Sequence, residues 1–230
     1  MEINVSWQME INVSWQNIEG VFDIEQYCKD NDIDVEGVTK LRCDDNELTE
    51  LKGLDKLVNL EDLDCYNNEL TELKGLDKLV KLKELWCSNN ELTELKGLDK
   101  LVNLQRLSCH SNQLTELDVS KLVNLKKFYC SNNQLTELKG LDKLVNLERL
   151  DCDFNELTEL KGLDKLVNLE RLDCDYSELT ELKGSDKLVK LKWLNGKEYT
   201  QPKLDKLDLL LNKIERVEKD IAEMKEIIGR

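Results

Sequence analysis

The sequence is short of several residue types, and each shortage limits what the protein can do. Among 230 residues there is one histidine and one proline, and aromatic residues make up 5%. No nucleophile with a neighbouring base, no phosphate-binding loop and no pair of carboxylates set in a cleft can be named from the sequence. We therefore expect a protein that is not an enzyme and that uses no cofactor.

Long apolar runs are also missing. No stretch approaches 18 apolar residues, and the first residues, MEINVSWQ, lack the basic and then apolar segments of a secretion signal. The 48 acidic residues against 33 basic ones give a formal net charge of −15, which repels nucleic acid and anionic lipid. We expect a cytoplasmic protein without a nucleic-acid or membrane partner.

The sequence is rich in one thing, an internal repeat. Seven cysteines follow one another at intervals of 22, 22, 22, 21, 22 and 22 residues, namely Cys43, Cys65, Cys87, Cys109, Cys130, Cys152 and Cys174. Around them the frame L-x-x-L-x-C-x-x-N-x-L-T-x-L recurs, with an asparagine three residues after six of the cysteines, at Asn46, Asn68, Asn90, Asn112, Asn133 and Asn155. A fixed period of this length predicts an array of stacked coils.

Each repeat changes its hydrophobic period half-way. In NLERLDCDF, Leu150 and Cys152 alternate with Arg149, Asp151 and Asp153, which is typical of a strand with one buried face. Beyond the asparagine, leucines return every three residues, which favours a tight helical turn or irregular coil, as at Leu157, Leu160, Leu163 and Leu166. We expect the asparagines to hydrogen-bond the backbone of adjacent coils, because a buried unpaired amide costs about 1–3 kcal/mol.

These residues resemble the leucine-rich repeat family, in particular the 22-residue bacterial type of internalin-like proteins. The segment LTELDVSKLVNLKKFYCSNNQLTEL is also similar to bacterial repeats that carry cysteine where others carry leucine. The resemblance covers residues 38–197 and implies an α/β solenoid with a parallel sheet on its concave side. It does not identify a partner, because the fold serves many unrelated functions.

Stacking would place the seven cysteines in a straight line inside the solenoid. Equivalent positions in neighbouring coils lie about 4.8 Å apart, and parallel Cβ atoms at that spacing exceed the ~3.5–4.5 Å typical of a disulfide. A line of thiols cannot surround a zinc ion, and His110, next to Cys109, is expected to face the opposite side of the sheet. We therefore predict no metal site and eight reduced thiols in a reducing compartment, with the seven filling the core and Cys28 inside a capping helix.

Specificity is then left to the outward positions that differ between coils. The aromatic centre is a predicted group on adjacent coils with two flanking basic residues, and consists of Tyr66, Trp86, His110 and Tyr129, with Arg106 and Lys127. Exposed aromatic residues among mixed polar neighbours are typical of binding hot spots. The other interpretation is packing against cross-strand neighbours. Binding is favoured because Trp86 has no obvious burial site on this face.

The acidic cluster is a second predicted group, with four carboxylates and two arginines, and consists of Asp151, Asp153, Asp173 and Asp175, with Arg149 and Arg171. Calcium takes several carboxylate oxygens, so a weak ion site is one interpretation. A solvated acidic surface that contributes to partner binding is favoured, because the adjacent arginines are expected to offset the charge.

The far side of each coil carries the same polar residues in every repeat. Thr, Glu and Lys recur in columns, as in LTELKGLDK, and each glutamate has a lysine two positions later. We expect opposite charges to lie side by side there. This surface is assigned to solubility.

The N-terminal segments depart from the repeat. Residues 1–16 are the unit MEINVSWQ written twice, and its alternation places the Met, Ile, Val and Trp of both copies, Trp15 included, on one face of a strand-like segment. One copy is expected to extend the sheet. The other is either a duplication without a structural role, which we favour, or a self-association strand. Residues 17–37 are predicted to be a short amphipathic helix that caps the array with Val21, Phe22, Ile24 and Cys28.

The C-terminal segment changes period. Residues 198–202 form a linker that ends at the sole proline, and residues 203–230 follow a seven-residue pattern. Its apolar seam is Leu207, Leu210, Ile214, Val217, Ile221, Met224 and Ile228. This pattern predicts a coiled-coil helix of marginal length that forms a dimer or trimer. A helix that folds back as a C-terminal cap is the alternative.

These patterns together predict a non-catalytic scaffold. It would bind a protein or peptide of basic or mixed character on its concave face and oligomerise through residues 203–230. The alternative is a structural protein whose terminal segments self-associate and whose concave face carries no ligand.

Overall fold

A computed structural model describes residues 9–199. The first MEINVSWQ unit at 1–8, the end of the linker at 200–202 and the heptad seam within 203–230 lie outside the described residues, so the predictions for them stay predictions. Within residues 9–199, no helix is long and apolar enough to cross a membrane.

The main element is a ten-stranded sheet to which each coil contributes a short strand. With strands numbered in chain order, the sheet order is β1 (Met9–Asn12), β3 (Val38–Arg42), β5 (Asp62–Asp64), β6 (Glu84–Trp86), β7 (Arg106–Ser108), β9 (Lys127–Tyr129), β11 (Arg149–Asp151), β12 (Arg171–Asp173), β13 (Trp193–Leu194) and β14 (Lys197–Glu198). Two smaller sheets pair β2 (Glu19–Asp23) with β4 (Glu47–Lys52), and β8 (Leu117–Asp118) with β10 (Leu138–Lys139). All pairs are parallel except β13 with β14.

The strands pair in the same register from coil to coil. Leu85 lies opposite Leu107, and Leu107 lies opposite Phe128, so the buried residue of each strand meets its equivalent in the next. The pairing continues past the strand end, where the Cys87 N–H donates to the Ser108 carbonyl at 2.8 Å. Residues between the buried ones point outward, which confirms the predicted strand with one buried face.

Short 3-10 helices lie in most coils on the side away from the sheet. They are Leu54–Lys56, Leu76–Lys78, Leu98–Lys100, Leu141–Lys143, Leu163–Lys165 and Ser185–Lys187. They confirm the tight turn predicted from the three-residue leucine spacing, since a 3-10 helix aligns residues i and i+3. The predicted repeat solenoid with a parallel sheet is confirmed, and its helical turns are 3-10 helices instead of α-helices. Among residues 9–199 the α-helix is α1 (Ile24–Asp30), which precedes the cysteine repeats.

The asparagine column forms a hydrogen-bond ladder, as predicted. Asn90 Oδ1 accepts from the Leu70 N–H at 3.0 Å, and its Nδ2 donates to the carbonyls of Cys65 at 2.9 Å and Cys87 at 3.2 Å. Each amide thus joins its own coil to the preceding one. The same pattern recurs at Asn46, Asn68, Asn112, Asn133 and Asn155. In the next coil the position is Ser177, whose buried hydroxyl has no hydrogen-bond partner among the described residues.

A second asparagine column was not predicted from the sequence. Nδ2 of Asn103 donates to the Val80 carbonyl of the preceding coil at 2.9 Å. Equivalent bonds to a preceding coil are made by Asn59, Asn124, Asn146 and Asn168. These bonds are exposed, so each is expected to stabilise the coils less than a buried one, because water competes for the same groups.

The second MEINVSWQ unit forms the first coil. β1 pairs with β3, and Val13 takes the place of a repeat cysteine, with its N–H donating to the Arg42 carbonyl at 2.8 Å. Asn46 Nδ2 donates to the Val13 carbonyl at 3.1 Å. One copy therefore extends the sheet, as expected. However, the strand ends at Asn12 and the chain turns, so Trp15 has a φ of 60° and is 73% exposed instead of lying on the buried face.

Residues 17–37 do not form the single amphipathic helix that was predicted. They run through β2, α1 and the 3-10 helix Val35–Gly37. Because β2 pairs with β4, Val21 is part of a strand and is 51% exposed, which corrects its assignment to the core. The helix begins after Asp23, whose carboxylate accepts from the Gln26 N–H at 3.0 Å. The other predicted core residues of this segment are buried, namely Phe22, Ile24 and Cys28.

The eight cysteines are buried and free, and the prediction that they fill the core is confirmed. Burial raises the pKa of Cys109 to about 12. It also raises the pKa of Cys87, whose Sγ lies 3.4 Å from the Ser108 carbonyl oxygen. Thiols with such pKa values remain protonated and weakly nucleophilic at neutral pH.

Candidate functional site

The outward side chains of the ten-stranded sheet form a surface that changes from coil to coil. We call it the outer face and define it by the residues that flank the buried leucine and cysteine of each repeat, such as Arg106, Ser108 and His110 in one coil. In-register pairing places equivalent residues side by side. Differences between repeats therefore become neighbouring side chains on this face.

Two rings of the aromatic centre approach each other across the coil that lies between them. The centroids of the Tyr66 and His110 rings are 6.4 Å apart, although positions two coils apart are separated by about 9.6 Å. Between them lies Ser88, which is 1% exposed and hydrogen-bonds the Ser108 hydroxyl at 2.8 Å. The small serine leaves room for the two rings to approach each other. This packing was not predicted from the sequence.

Trp86 is half-buried and is held by two neighbours. Its Nε1–H donates to Glu84 Oε2 at 3.3 Å, and the Arg106 guanidinium lies 5.1 Å from the indole centroid. Arg106 also forms an ion pair with Glu84 at 3.1 Å. The expectation that Trp86 has no burial site on this face is therefore wrong in part. The indole packs against arginine and keeps part of its surface open to solvent.

Tyr129 and Lys127 border the aromatic centre. β9 pairs in register with β7, so Tyr129 lies opposite Ser108 and Lys127 lies opposite Arg106. Within residues 9–199 the Tyr129 ring contacts no other aromatic ring. The predicted centre is therefore two contacting pairs with a border rather than one cluster.

The imidazole of the aromatic centre is expected to be neutral at pH 7. Burial lowers the pKa of His110, and the Asp151 carboxylate opposes this effect. His110 Nδ1 lies 3.2 Å from the Ser111 hydroxyl. A neutral imidazole offers one hydrogen-bond donor and one acceptor. The positive charge of the contacting pairs is thus on Arg106.

The acidic cluster is only partly neutralised. Asp173 is buried and accepts from Arg171 Nε at 2.5 Å and from the Gly196 N–H at 2.9 Å. Arg149 is exposed and forms no ion pair with any of the described residues. The expectation that both arginines offset the charge is therefore wrong for Arg149, because its side chain extends into solvent.

The other carboxylates of the cluster accept hydrogen bonds from neutral groups. Asp153 Oδ1 accepts from the Asp175 N–H at 2.6 Å, Asp175 Oδ1 accepts from Asn195 Nδ2 at 2.5 Å, and Asp151 Oδ2 accepts from Ser131 Oγ at 3.2 Å. Burial, reinforced by neighbouring carboxylates, raises the pKa of Asp153 to about 6 and also raises that of Asp151. Across residues 9–199, no group of three His, Cys, Asp or Glu side chains is placed to hold a metal ion, so the calcium interpretation gains no support.

An exposed pair of rings beside the acidic cluster was missed. The rings of Phe154 and Tyr176 have centroids 4.3 Å apart and planes within 8° of parallel, and we call them the aromatic stack. Phe154 is 52% exposed and Tyr176 is 73% exposed. The preceding repeats carry a short polar residue at this position, two residues after the cysteine, namely Asp45, Asn67, Asn89, Ser111 and Asn132. The change from a short polar residue to an aromatic one is the sequence signal that could have identified this pair.

The far side of the coils carries the same ion pairs in almost every repeat. Lys96 Nζ lies 2.6 Å from a carboxylate oxygen of Glu94, and Lys100 Nζ lies 2.6 Å from one of Asp99. The Glu–Lys pair recurs at 72 and 74, 137 and 139, 159 and 161, and 181 and 183. The predicted side-by-side arrangement of opposite charges is confirmed. Exposed pairs of this kind add little stability.

Comparison with protein families agrees with this geometry. A family model described as leucine-rich repeats in two copies matches residues 36–78, 80–122 and 123–165. No curated protein matches the chain at a significant level.

Solved structures share the architecture. The functional domain of InlJ from Listeria monocytogenes, which includes a cysteine ladder, is 36% identical with a TM-score of 0.65, and the match covers 70% of this chain and 36% of that one. A leucine-rich repeat protein from Leptospira interrogans is 28% identical with a TM-score of 0.70, covering 84% and 55%. Internalin C2 from Listeria monocytogenes, at 23% identity and a TM-score of 0.71, covers 80% and 79% and shares the fold.

The present chain thus spans 36% of the InlJ chain and 55% of the Leptospira protein. The family match covers more than half of the sequence, and the matched residues contain most of the parallel strands and the asparagine ladder described above. The chain belongs to the leucine-rich repeat family.

Proposed function

We propose that the protein is a non-catalytic scaffold that binds a protein or peptide through the outer face of its sheet. The observation that carries this proposal is the contrast between two surfaces. The outer face changes its side chains from coil to coil, whereas the far side repeats the same lysine–carboxylate pairs. Leucine-rich repeat proteins generally act as scaffolds for protein interaction, which supports the proposal.

The aromatic centre is suited to supply the binding energy. Trp86 is oriented by Glu84 and Arg106 before a partner arrives, and the Tyr66 hydroxyl accepts from Asn89 Nδ2 at 3.0 Å. Side chains that are ordered in the free protein lose less entropy on binding. Tryptophan, tyrosine and arginine are also the residue types enriched in hot spots. The net charge of −15 favours a partner of basic or mixed character.

Replacing Trp86 by alanine tests the proposal. We expect Trp86→Ala to weaken partner capture by about thirtyfold or more, because a hot-spot residue contributes roughly 2 kcal/mol or more. The melting temperature should fall by less than about 4 °C, since the indole loses one partly exposed cation–π contact of about 0.5–1 kcal/mol. The measurements are quantitative pull-down from a native lysate and thermal unfolding of both proteins.

Val102→Ala is the matched control. Val102 is 45% exposed and lies off the outer face, so its loss should leave capture unchanged. Equal capture by the Trp86 variant and the wild type would contradict the proposal, and a large loss of stability would assign the indole to packing instead. Concentration-dependent filaments, or ordered oligomers larger than a trimer, that form without any partner would favour the structural alternative.

We extend the proposal to the C-terminal segment. The heptad seam within residues 203–230 would join two or three copies, and linked binding sites raise avidity without new contacts. Sedimentation of the whole chain should then give a dimer or trimer, and removal of residues 203–230 should give a monomer. If the whole chain and the shortened chain both sediment as monomers, this role is ruled out.

A further inference from the structure

We propose that the aromatic stack and two neighbouring carboxylates form a subsite for an arginine side chain of the partner. The subsite consists of Phe154 and Tyr176 together with Asp153 and Asp175. It deepens the proposed function and rests on it, since it assumes that the outer face is the binding surface. It also limits the partner to proteins or peptides that have an exposed arginine.

The stack presents an open ring face. Phe154 covers one face of the Tyr176 ring, because the planes are within 8° of parallel and the centroids are 4.3 Å apart. Among residues 9–199 no equivalent residue lies above the other face, since the chain turns back through Asn195 and Gly196 from β13 into β14. Tyr176 is accordingly 73% exposed. A planar guanidinium stacks well on such a face and is attracted to its π electrons.

The backbone of the stack has an unfavourable conformation. Burial of the rings in a core does not offset this cost, because both rings are exposed. Phe154 has a φ of 50° and Tyr176 a φ of 53°. Bulky residues rarely adopt this left-handed region, whereas asparagine tolerates it, as at Asn67, Asn89 and Asn132. Strained positions of this kind persist most often where a function needs the side chain.

The carboxylates supply the complementary charge. Asp153 and Asp175 directly precede the two aromatic residues. Each has one oxygen in a hydrogen bond, from the Asp175 N–H and from Asn195 Nδ2, and neither forms an ion pair with any residue in the range 9–199. The second oxygens are therefore free to accept from a guanidinium, whose five N–H donors suit carboxylates. Arg171 does not compete, because Asp173 already binds it.

Arginine is preferred to lysine for a geometric reason. A guanidinium can lie flat on a ring and still direct its N–H groups sideways to carboxylates. An ammonium group has no plane to stack and is more strongly hydrated. The subsite is therefore expected to bind both cations but to bind arginine more tightly.

A short peptide tests the subsite without knowledge of the partner. The probe is acetyl-Gly-Gly-Arg-Gly-Gly-amide, compared with the same peptide carrying lysine or the neutral isostere citrulline, and added to the ¹⁵N-labelled full chain. We expect the arginine peptide to shift the amide resonances of the four subsite residues with a millimolar Kd. The citrulline peptide should bind at least about tenfold more weakly, because citrulline keeps the planar group of arginine and loses its charge.

Tyr176→Asn is the informative variant, since asparagine occupies this position in three other coils. It should weaken the arginine peptide by about tenfold while the melting temperature stays within about 3 °C of the wild type. The double variant Asp153→Asn with Asp175→Asn, which keeps both rings, should show the same loss. Trp15→Asn removes an exposed aromatic ring with a positive φ in the first coil, which is not part of the aromatic centre or the subsite, and should bind the peptide normally.

The outcomes separate this proposal from the proposed function. Equal binding of the arginine and citrulline peptides, no binding of either, or unchanged binding by Tyr176→Asn would overturn the subsite. A large drop in melting temperature for Tyr176→Asn would also overturn it, by assigning the rings to packing. A third result is possible, in which the arginine peptide binds Trp86→Ala but no partner is ever captured from a lysate. This result would support the subsite and would count only against the wider scaffold function.

Discussion

Replacing Gly140 by alanine is expected to destabilise the protein by about 2–5 kcal/mol. Gly140 has a φ of 81°, and a Cβ there would lie 2.3 Å from Ser120 Cα and 2.5 Å from Ser120 N in the preceding coil. The left-handed conformation costs alanine about 1–2 kcal/mol, and overlap in a packed region adds about 1–3 kcal/mol. The obstructing atoms are backbone, and the Ser120 N–H is held by Asp118 Oδ1 at 2.9 Å. The midpoint of thermal unfolding should fall by roughly 10 °C.

Gly20→Ala is the control for this prediction. Gly20 also has a positive φ, of 74°, but a Cβ there would meet nothing within 4 Å. Only the conformational cost of about 1–2 kcal/mol is expected. The difference between the two variants isolates the close approach of neighbouring coils. Equal losses would show that the positive φ alone, and not the close approach of Ser120, accounts for the cost at Gly140.

Replacing Asn90 by alanine is expected to destabilise the protein by about 2–4 kcal/mol, measured by urea unfolding. The Leu70 N–H loses its acceptor in a buried site, which costs about 1–3 kcal/mol. The carbonyls of Cys65 and Cys87 lose one donor each but still accept from neighbouring ladder asparagines. Loss of these bonds and the cavity left by the side chain add to the cost.

Asn103→Ala is the matched comparison, because it removes the same side chain from the exposed second column. The Asn103 side chain donates to the Val80 carbonyl at 2.9 Å, and water can replace this bond. The expected loss is less than about 1 kcal/mol. If both variants lost the same stability, burial of the ladder would not be the source of its contribution.

The N-terminal segments show how local patterns mislead. The apolar spacing in residues 17–37 fits a helix, yet β4 offers an unpaired edge and draws β2 into a parallel pair, so α1 begins only at Ile24. Likewise the alternation of MEINVSWQ predicts a longer strand, but the coil must turn after Asn12. In both cases backbone hydrogen bonding to a neighbouring coil prevails over side-chain periodicity.

The outer face shows a different kind of limit. Its members could be named from the sequence, because alternation along a strand assigns each residue to a side. Which of them touch could not. Tyr66 reaches His110 because the residue between them is Ser88, and Trp86 is held by Arg106 from the next strand. Phe154 and Tyr176 escaped notice because they lie just past the strand, where alternation no longer applies.

The coil length, the buried leucine and cysteine columns and the asparagine ladder can all be read from the sequence, since each depends on local spacing and is repeated in coil after coil. The contacts of the outer face depend on the fold instead. They arise between residues about 20 to 44 positions apart, and side-chain size and rotamer in the intervening coil determine whether two such residues meet. No spacing rule within one repeat contains that information.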